Sequence, residues 1–133
     1  MPLKVLIAED DFASRLLLQG ILNGYGTSHV AINGKEALEA VRLALEAGEY
    51  YDLICLDIMM PEMDGHEALK QIRALEEASG QVSRTGAKIV MTSALADRDN
   101  VLEAIQGQCD HYLAKPIHKA KLLEVLRKLA LIA

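Results

Sequence analysis

The sequence predicts an α/β fold, a doubly wound five-stranded parallel sheet of (βα)5 pattern, and three observations carry that prediction. Short runs that are apolar at consecutive positions recur along the chain. Between them lie stretches whose apolar residues are spaced as on one face of a helix. The chain is 133 residues long, the size of one domain with one core. A strand covered by helices on both faces reads as a continuous apolar run, and alternation of such runs with amphipathic helices is the βα repeat.

The first run is Val5-Leu6-Ile7-Ala8, and Ala13, Leu16, Leu17, Gly20 and Ile21 then form a helical stripe. Val30-Ala31-Ile32 is the second strand, and Ala37, Leu38, Val41 and Leu45 mark the second helix, with Gly48 placed to end it. Leu53-Ile54-Cys55-Leu56 precedes a helix marked by Gly65, Ala68, Leu69 and Ile72. Ile89-Val90-Met91 precedes a shorter stripe of Val101, Leu102 and Ile105. Tyr112-Leu113-Ala114 precedes the last stripe, Leu122, Val125, Leu126 and Leu129, which has Lys and Arg on its outer side. Ser79 to Gly86 is the only long polar connection. It reads as a surface loop, so residues 1–133 form a single domain.

Composition excludes several classes. A chain 51% hydrophobic and 25% charged packs a core and is not disordered. A net charge of -5 argues against a nucleic-acid-binding face. Cys55 and Cys109 are far apart and in no metal-ligand spacing, which points to a reducing, cytoplasmic setting. Cys55 is expected to be an inert core thiol and Cys109 an exposed, unactivated one. His29, His66, His111 and His118 are scattered, without a ligand partner at useful spacing. No apolar run approaches the roughly 20 residues that span a bilayer, and the N-terminus has no apolar signal region, so no membrane partner is expected.

Sites in open parallel sheets lie beyond the carboxyl ends of the strands. Here the first strand runs into Glu9-Asp10-Asp11, the third ends at Asp57, the fourth at Thr92-Ser93-Ala94 and the fifth at Lys115-Pro116. Carboxylates gathered on one edge repel one another unless a cation is present. Mg²⁺ suits a site of few carboxylates and several waters. Lys115 adds a point charge that can pair with a carboxylate or a phosphate. An aspartate beside Mg²⁺, facing a lysine and a hydroxyl, is suited to accept a phosphoryl group. Asp11 fits a helix cap better than a ligand.

These residues stand in a familiar order: Ala8-Glu9-Asp10-Asp11 with Arg15, then Leu56-Asp57-Ile58-Met59-Met60-Pro61-Glu62-Met63-Asp64-Gly65, then Thr92-Ser93-Ala94, then Tyr112-Leu113-Ala114-Lys115-Pro116. Over nearly its whole length the chain resembles the receiver domain of two-component response regulators. The resemblance implies the flavodoxin-like strand order 2-1-3-4-5. It implies that Asp57 is the phosphoacceptor. Asp10, Asp57, the backbone carbonyl of Met59 and, partly through water, Glu9 would bind Mg²⁺. Lys115 would contact the phosphoryl group, and Ser93 would hydrogen-bond it. Tyr112 would turn inward on activation and reshape the face made by the fourth helix, fifth strand and fifth helix. The Lys115-Pro116 bond is often cis in this family.

The implied function is a phosphoacceptor switch and not a dedicated enzyme. It would be loaded by a sensor histidine kinase or histidine phosphotransfer protein and read by an unidentified protein target. The chain is expected to stand alone, ending in the fifth helix at Leu131-Ile132-Ala133; the alternative is a module of a longer regulator or hybrid kinase. Met59 and Leu95, two residues beyond Asp57 and Ser93, suggest slow self-hydrolysis. An aspartate-based phosphohydrolase would need an acid where Met59 stands. A degenerate receiver that only binds protein would have lost site residues, and all are present. Two departures bear on the switching face: Gln108 stands where the family often has Gly, with Gly107 just before it, and Ile117 stands where Phe is frequent.

Overall fold

The computed structural model describes residues 2–80, 86–94 and 98–133. Strands and helices alternate in the order β1 (Leu3–Ala8), α1 (Phe12–Leu22), β2 (Gly26–Ala31), α2 (Gly34–Ala47), β3 (Leu53–Asp57), α3 (Gly65–Ala78), β4 (Lys88–Ser93), α4 (Arg98–Gln106), β5 (His111–Ala114) and α5 (Lys119–Lys128). The strands form one parallel sheet of order β2-β1-β3-β4-β5. Fold class and strand order are those expected.

Period-two geometry divides each central strand between two cores. Leu6, Ile54, Leu56, Ile89 and Met91 face one side, where Ala37 and Val41 of α2, Ala68, Leu69 and Ile72 of α3 and Ala104 of α4 cover them. Val5, Ile7, Leu53, Cys55, Val90 and Leu113 face the other, under Leu18, Ile21 and Leu22 of α1 and Leu122, Val125 and Leu126 of α5. The helices stop and start where local chemistry dictates. Gly48 takes a left-handed φ of 70° and closes α2 onto the carbonyls of Ala44 and Leu45. Asp11, Asn33 and Asp64 cap α1, α2 and α3 through their side chains.

Four expectations need correction. β2 lies at the edge of the sheet, so only Ala31 of this strand is buried and Val30 is exposed. Gly26 opens this strand because a Cβ there would lie 2.0 Å from the carbonyl oxygen of Leu3. In α1, Leu16 and Leu17 point outward, and Leu18, Ile21 and Leu22 make the core contact. In α4, Leu102 and Ile105 are exposed, and Ala104 is the residue that packs inward. The fifth helix closes at Lys128, short of Leu131-Ile132-Ala133, with Leu129 as its cap. The Ser79–Gly86 connection falls largely outside the described residues, and Leu95 falls wholly outside them.

Candidate functional site

The parallel register brings the strand ends together. Ala8 pairs with Leu56, Asp57 with Thr92, and Ser93 with Ala114, so the residues that follow β1, β3, β4 and β5 share one edge. Further backbone bonds fix that edge: Ile58 N–H donates to Thr92 O at 3.0 Å, and Lys115 N–H donates to Ser93 O at 2.9 Å. The Lys115-Pro116 peptide is cis.

Glu9 is 1% exposed, and its two carboxylate oxygens are used differently. Oε2 accepts from Asp11 N–H at 3.2 Å. Oε1 lies 2.6 Å from Lys115 Nζ, its ion-pair partner, and this buried oxygen has no further partner among the described residues. Arg15 Nη1 donates to the Glu9 carbonyl at 3.2 Å, holding the turn after β1. Asp57 is 3% exposed, and its Oδ2 lies 3.4 Å from Lys115 Nζ. Glu9, Asp10 and Asp57 each offer an oxygen within 4.8 Å of the others, and Asp10 is exposed at the mouth.

Burial, with the nearby Glu9 carboxyl adding to it, pushes the Asp57 carboxyl up to about 7, against the pull of Lys115. Burial also works against the charge of Lys115, but the Glu9 and Asp57 carboxylates outweigh it and hold the ammonium above its ordinary range. A buried carboxylate oxygen whose one polar partner among the described residues is an ammonium, two further carboxylates within reach and an aspartate resisting ionisation together suit a hard divalent cation. The donor set is all oxygen, as Mg²⁺ requires.

Asp11 stands apart from this cluster. Its Oδ2 accepts from Ser14 N–H at 2.9 Å, and this bond holds its carboxyl below the usual range, so it is the helix cap. Gly65 is dictated by the site, because a Cβ there would lie 2.3 Å from the Asp57 carbonyl oxygen. Thr92 and Ser93 are both buried at the end of β4. Met59 is exposed in the loop after β3. Tyr112 is half-buried and packs against the core under α2, α3 and α4. Cys55 is fully buried, and burial pushes its thiol up to about 12; Cys109 is half-buried rather than exposed, and burial raises its pKa too.

Two arrangements were not visible in the sequence. Arg73 is buried and donates to Glu76 at 2.6 Å, Asp110 at 2.8 Å, the Ala87 carbonyl at 2.8 Å and the Gln108 carbonyl at 3.0 Å, tying α3 to the segments before β4 and β5. Buried His66 meets α4. Both pairings join residues more than 30 positions apart, where neither periodicity nor local spacing gives a signal.

Known proteins resemble this chain over almost its full length. A family model described as the response regulator receiver domain matches residues 5–127. The chain is 31% identical to the chemotaxis protein CheY of Thermotoga maritima, covering 96% of this chain and 97% of that protein. It is 32% identical to the osmosensing histidine protein kinase SLN1 of Saccharomyces cerevisiae, covering 92% of this chain and 10% of that one. Among solved structures, it resembles the receiver domain of the histidine kinase CKI1 of Arabidopsis thaliana complexed with Mg²⁺ and BeF3⁻. That match has a TM-score of 0.80 and 30% identity, over 96% of this chain and 89% of that one. No helix among the described residues is long and apolar enough to cross a membrane.

Proposed function

The chain belongs to the response regulator receiver domain family, and from that premise we propose that Asp57 accepts a phosphoryl group from a phosphohistidine of a sensor histidine kinase or a histidine phosphotransfer protein. One observation carries the proposal: two buried carboxylates, Glu9 and Asp57, share the single ammonium of Lys115 at 2.6 and 3.4 Å. Such a site is built for more positive charge than one ammonium supplies.

Glu9, Asp10, the Asp57 carboxylate and the Met59 carbonyl would hold Mg²⁺. When bound, the ion supplies positive charge that neutralises phosphoryl oxygens. An Asp57 carboxylate oxygen attacks phosphorus, the bond from phosphorus to the imidazole nitrogen breaks, and its electron pair stays with the donor histidine. Lys115 turns its ammonium from the carboxylates to a phosphoryl oxygen. The hydroxyl of buried Ser93 donates to another. Tyr112 then moves further inward, and the α4-β5-α5 face shifts between two arrangements that a protein target distinguishes.

The chain in this account is a signalling switch acting in the cytoplasm and not a dedicated enzyme. Apolar Met59 at the mouth is consistent with slow self-hydrolysis. Residues 1–133 form its single domain. A second account makes it a module of a longer regulator or hybrid kinase; the SLN1 match, as strong in identity as the CheY match, favours that possibility. Transfer from a labelled histidine kinase tests the function. Label should appear on the chain and be absent from Asp57→Asn. Label that leaves the kinase without ever reaching the chain would contradict it.

A further inference from the structure

α3 is rooted in the phosphoacceptor loop. Gly65 N–H donates to the Ile58 carbonyl at 2.8 Å, and the backbone there leaves no room for a Cβ beside Asp57. The next residue, His66, is 6% exposed. Its Nε2 lies 3.1 Å from Asn100 Oδ1 and 3.7 Å from Glu103 Oε1, both on α4 and one turn apart. An amide oxygen only accepts, so Nε2 carries the proton and donates. The other ring nitrogen, Nδ1, is buried without a hydrogen bond among the described residues. The imidazole therefore makes its polar contacts to α4.

That contact matters because α4 is lightly held. Among its described side chains only Ala104 is fully buried, while Leu102, Glu103 and Ile105 are exposed. Just past its C-terminal end, Gly107 is wedged against Leu69, and the Gln108 carbonyl accepts from Arg73 at 3.0 Å. The C-terminal end is thus fixed to α3 by a buried guanidinium. The N-terminal half meets α3 through His66.

We infer that His66 is a positioning residue of the switch, linking the phosphoacceptor loop to the N-terminal half of α4 through its hydrogen bond to Asn100. The inference rests on the phosphoacceptor function proposed above and adds to it a route. A change in the loop around Asp57 moves the first turn of α3, and His66 carries that movement to α4, which pivots about the end held by Arg73. A hydrogen bond to one position of α4 biases it toward one of two arrangements, and sites that bias the same two-state element are coupled.

The test is the response of α4 to beryllium fluoride with Mg²⁺, followed by backbone amide resonances and by amide exchange, alongside the binding affinity for the same probe. In the wild type the probe should shift α4. His66→Leu fills the same space without a donor, and Asn100→Ala removes the acceptor from a partly buried position. Each should cut the α4 response by at least half while the probe still binds, and the double variant should lose no more than either single one. His66→Gln places an N–H near the position of Nε2 and should restore the response. A wild-type response in His66→Leu and Asn100→Ala would overturn the link. So would a His66→Gln variant that behaves like His66→Leu, since shape alone would then account for the effect. Failure of the wild type to bind the probe would overturn the phosphoacceptor function, and the link with it.

Discussion

Glu9 and Lys115 form the tightest ion pair of the site, 2.6 Å from Oε1 to Nζ, although the lysine is also 3.4 Å from the phosphoacceptor candidate Asp57. The ammonium therefore stands where a divalent cation and a phosphoryl group would each draw on it. A cation arriving among Glu9, Asp10 and Asp57 competes with Lys115 for the carboxylates, and a phosphoryl oxygen offers the lysine a new partner.

That competition predicts opposite effects for the two halves of the pair. Glu9→Gln should weaken Mg²⁺ binding at least tenfold, because a buried anionic oxygen is lost. Lys115→Met should tighten it by about three- to tenfold, since a close charge in a partly exposed site is worth on the order of 1 kcal/mol. It should also abolish phosphoryl uptake. Titration calorimetry with Mg²⁺ separates the two, and equal weakening in both variants would refute the competition.

Asp57 sets a pH dependence of stability. Its folded pKa of about 7 lies above the unfolded carboxyl value. The folded state thus binds a proton that the unfolded state releases. The resulting stability is full below about pH 4 and is lost as pH rises through about 7. In metal-free solution at pH 8, Asp57→Asn should therefore be the more stable protein, by on the order of 2 kcal/mol. The gain should vanish toward pH 4 and shrink when Mg²⁺ is added. Urea unfolding at the two pH values measures it; an Asp57→Asn protein no more stable than the wild type at pH 8 would contradict the assignment.

Gln108 has a φ of 73°, a left-handed conformation that side chains oppose. Its N–H donates to Ile105 O and its carbonyl accepts from Arg73, so the backbone is committed to that shape. Gln108→Gly should stabilise the protein by about 0.5–1 kcal/mol, the relief of strain less the added freedom of the unfolded chain. A fall in thermal midpoint would show that the Gln side chain compensates.

Arg73 neutralises two acids, and its loss would leave Glu76 buried and Asp110 partly buried without their cation. Arg73→Met keeps much of the volume and should cost about 3–5 kcal/mol in denaturant unfolding. Arg73→Met with Glu76→Gln should recover part of that loss. No recovery would place the cost in packing.

The central strands, the helices that cover them and the acidic strand ends were legible in the sequence because each is a local pattern. Glu9, Asp57 and Lys115 meet, with Ser93 on the same edge, because a parallel register aligns strand ends, which the alternation of elements already implies. The outward turn of Leu16, Leu17, Leu102 and Ile105 was not legible. Apolar residues at helical spacing mark a face without saying whether the sheet or the solvent lies against it. The contacts of His66 and Arg73 depend on the packing of α3 beside α4 and β4, which tertiary structure alone decides. Gln108 was legible as a departure from a glycine position, but the positive φ that gives the departure its consequence was not.

The proposed role of Asp57 as a phosphoacceptor helped by Mg²⁺ is open to direct measurement. The most direct test is intact-mass measurement after incubation with Mg²⁺ and a small acyl phosphate, with Asp57→Asn and a chelator-treated sample alongside. The wild type should gain one phosphoryl group, absent from the variant and from the metal-free sample. A gain of equal size in Asp57→Asn, or no gain on the wild type from either acyl phosphate or a phosphorylated kinase, would contradict it.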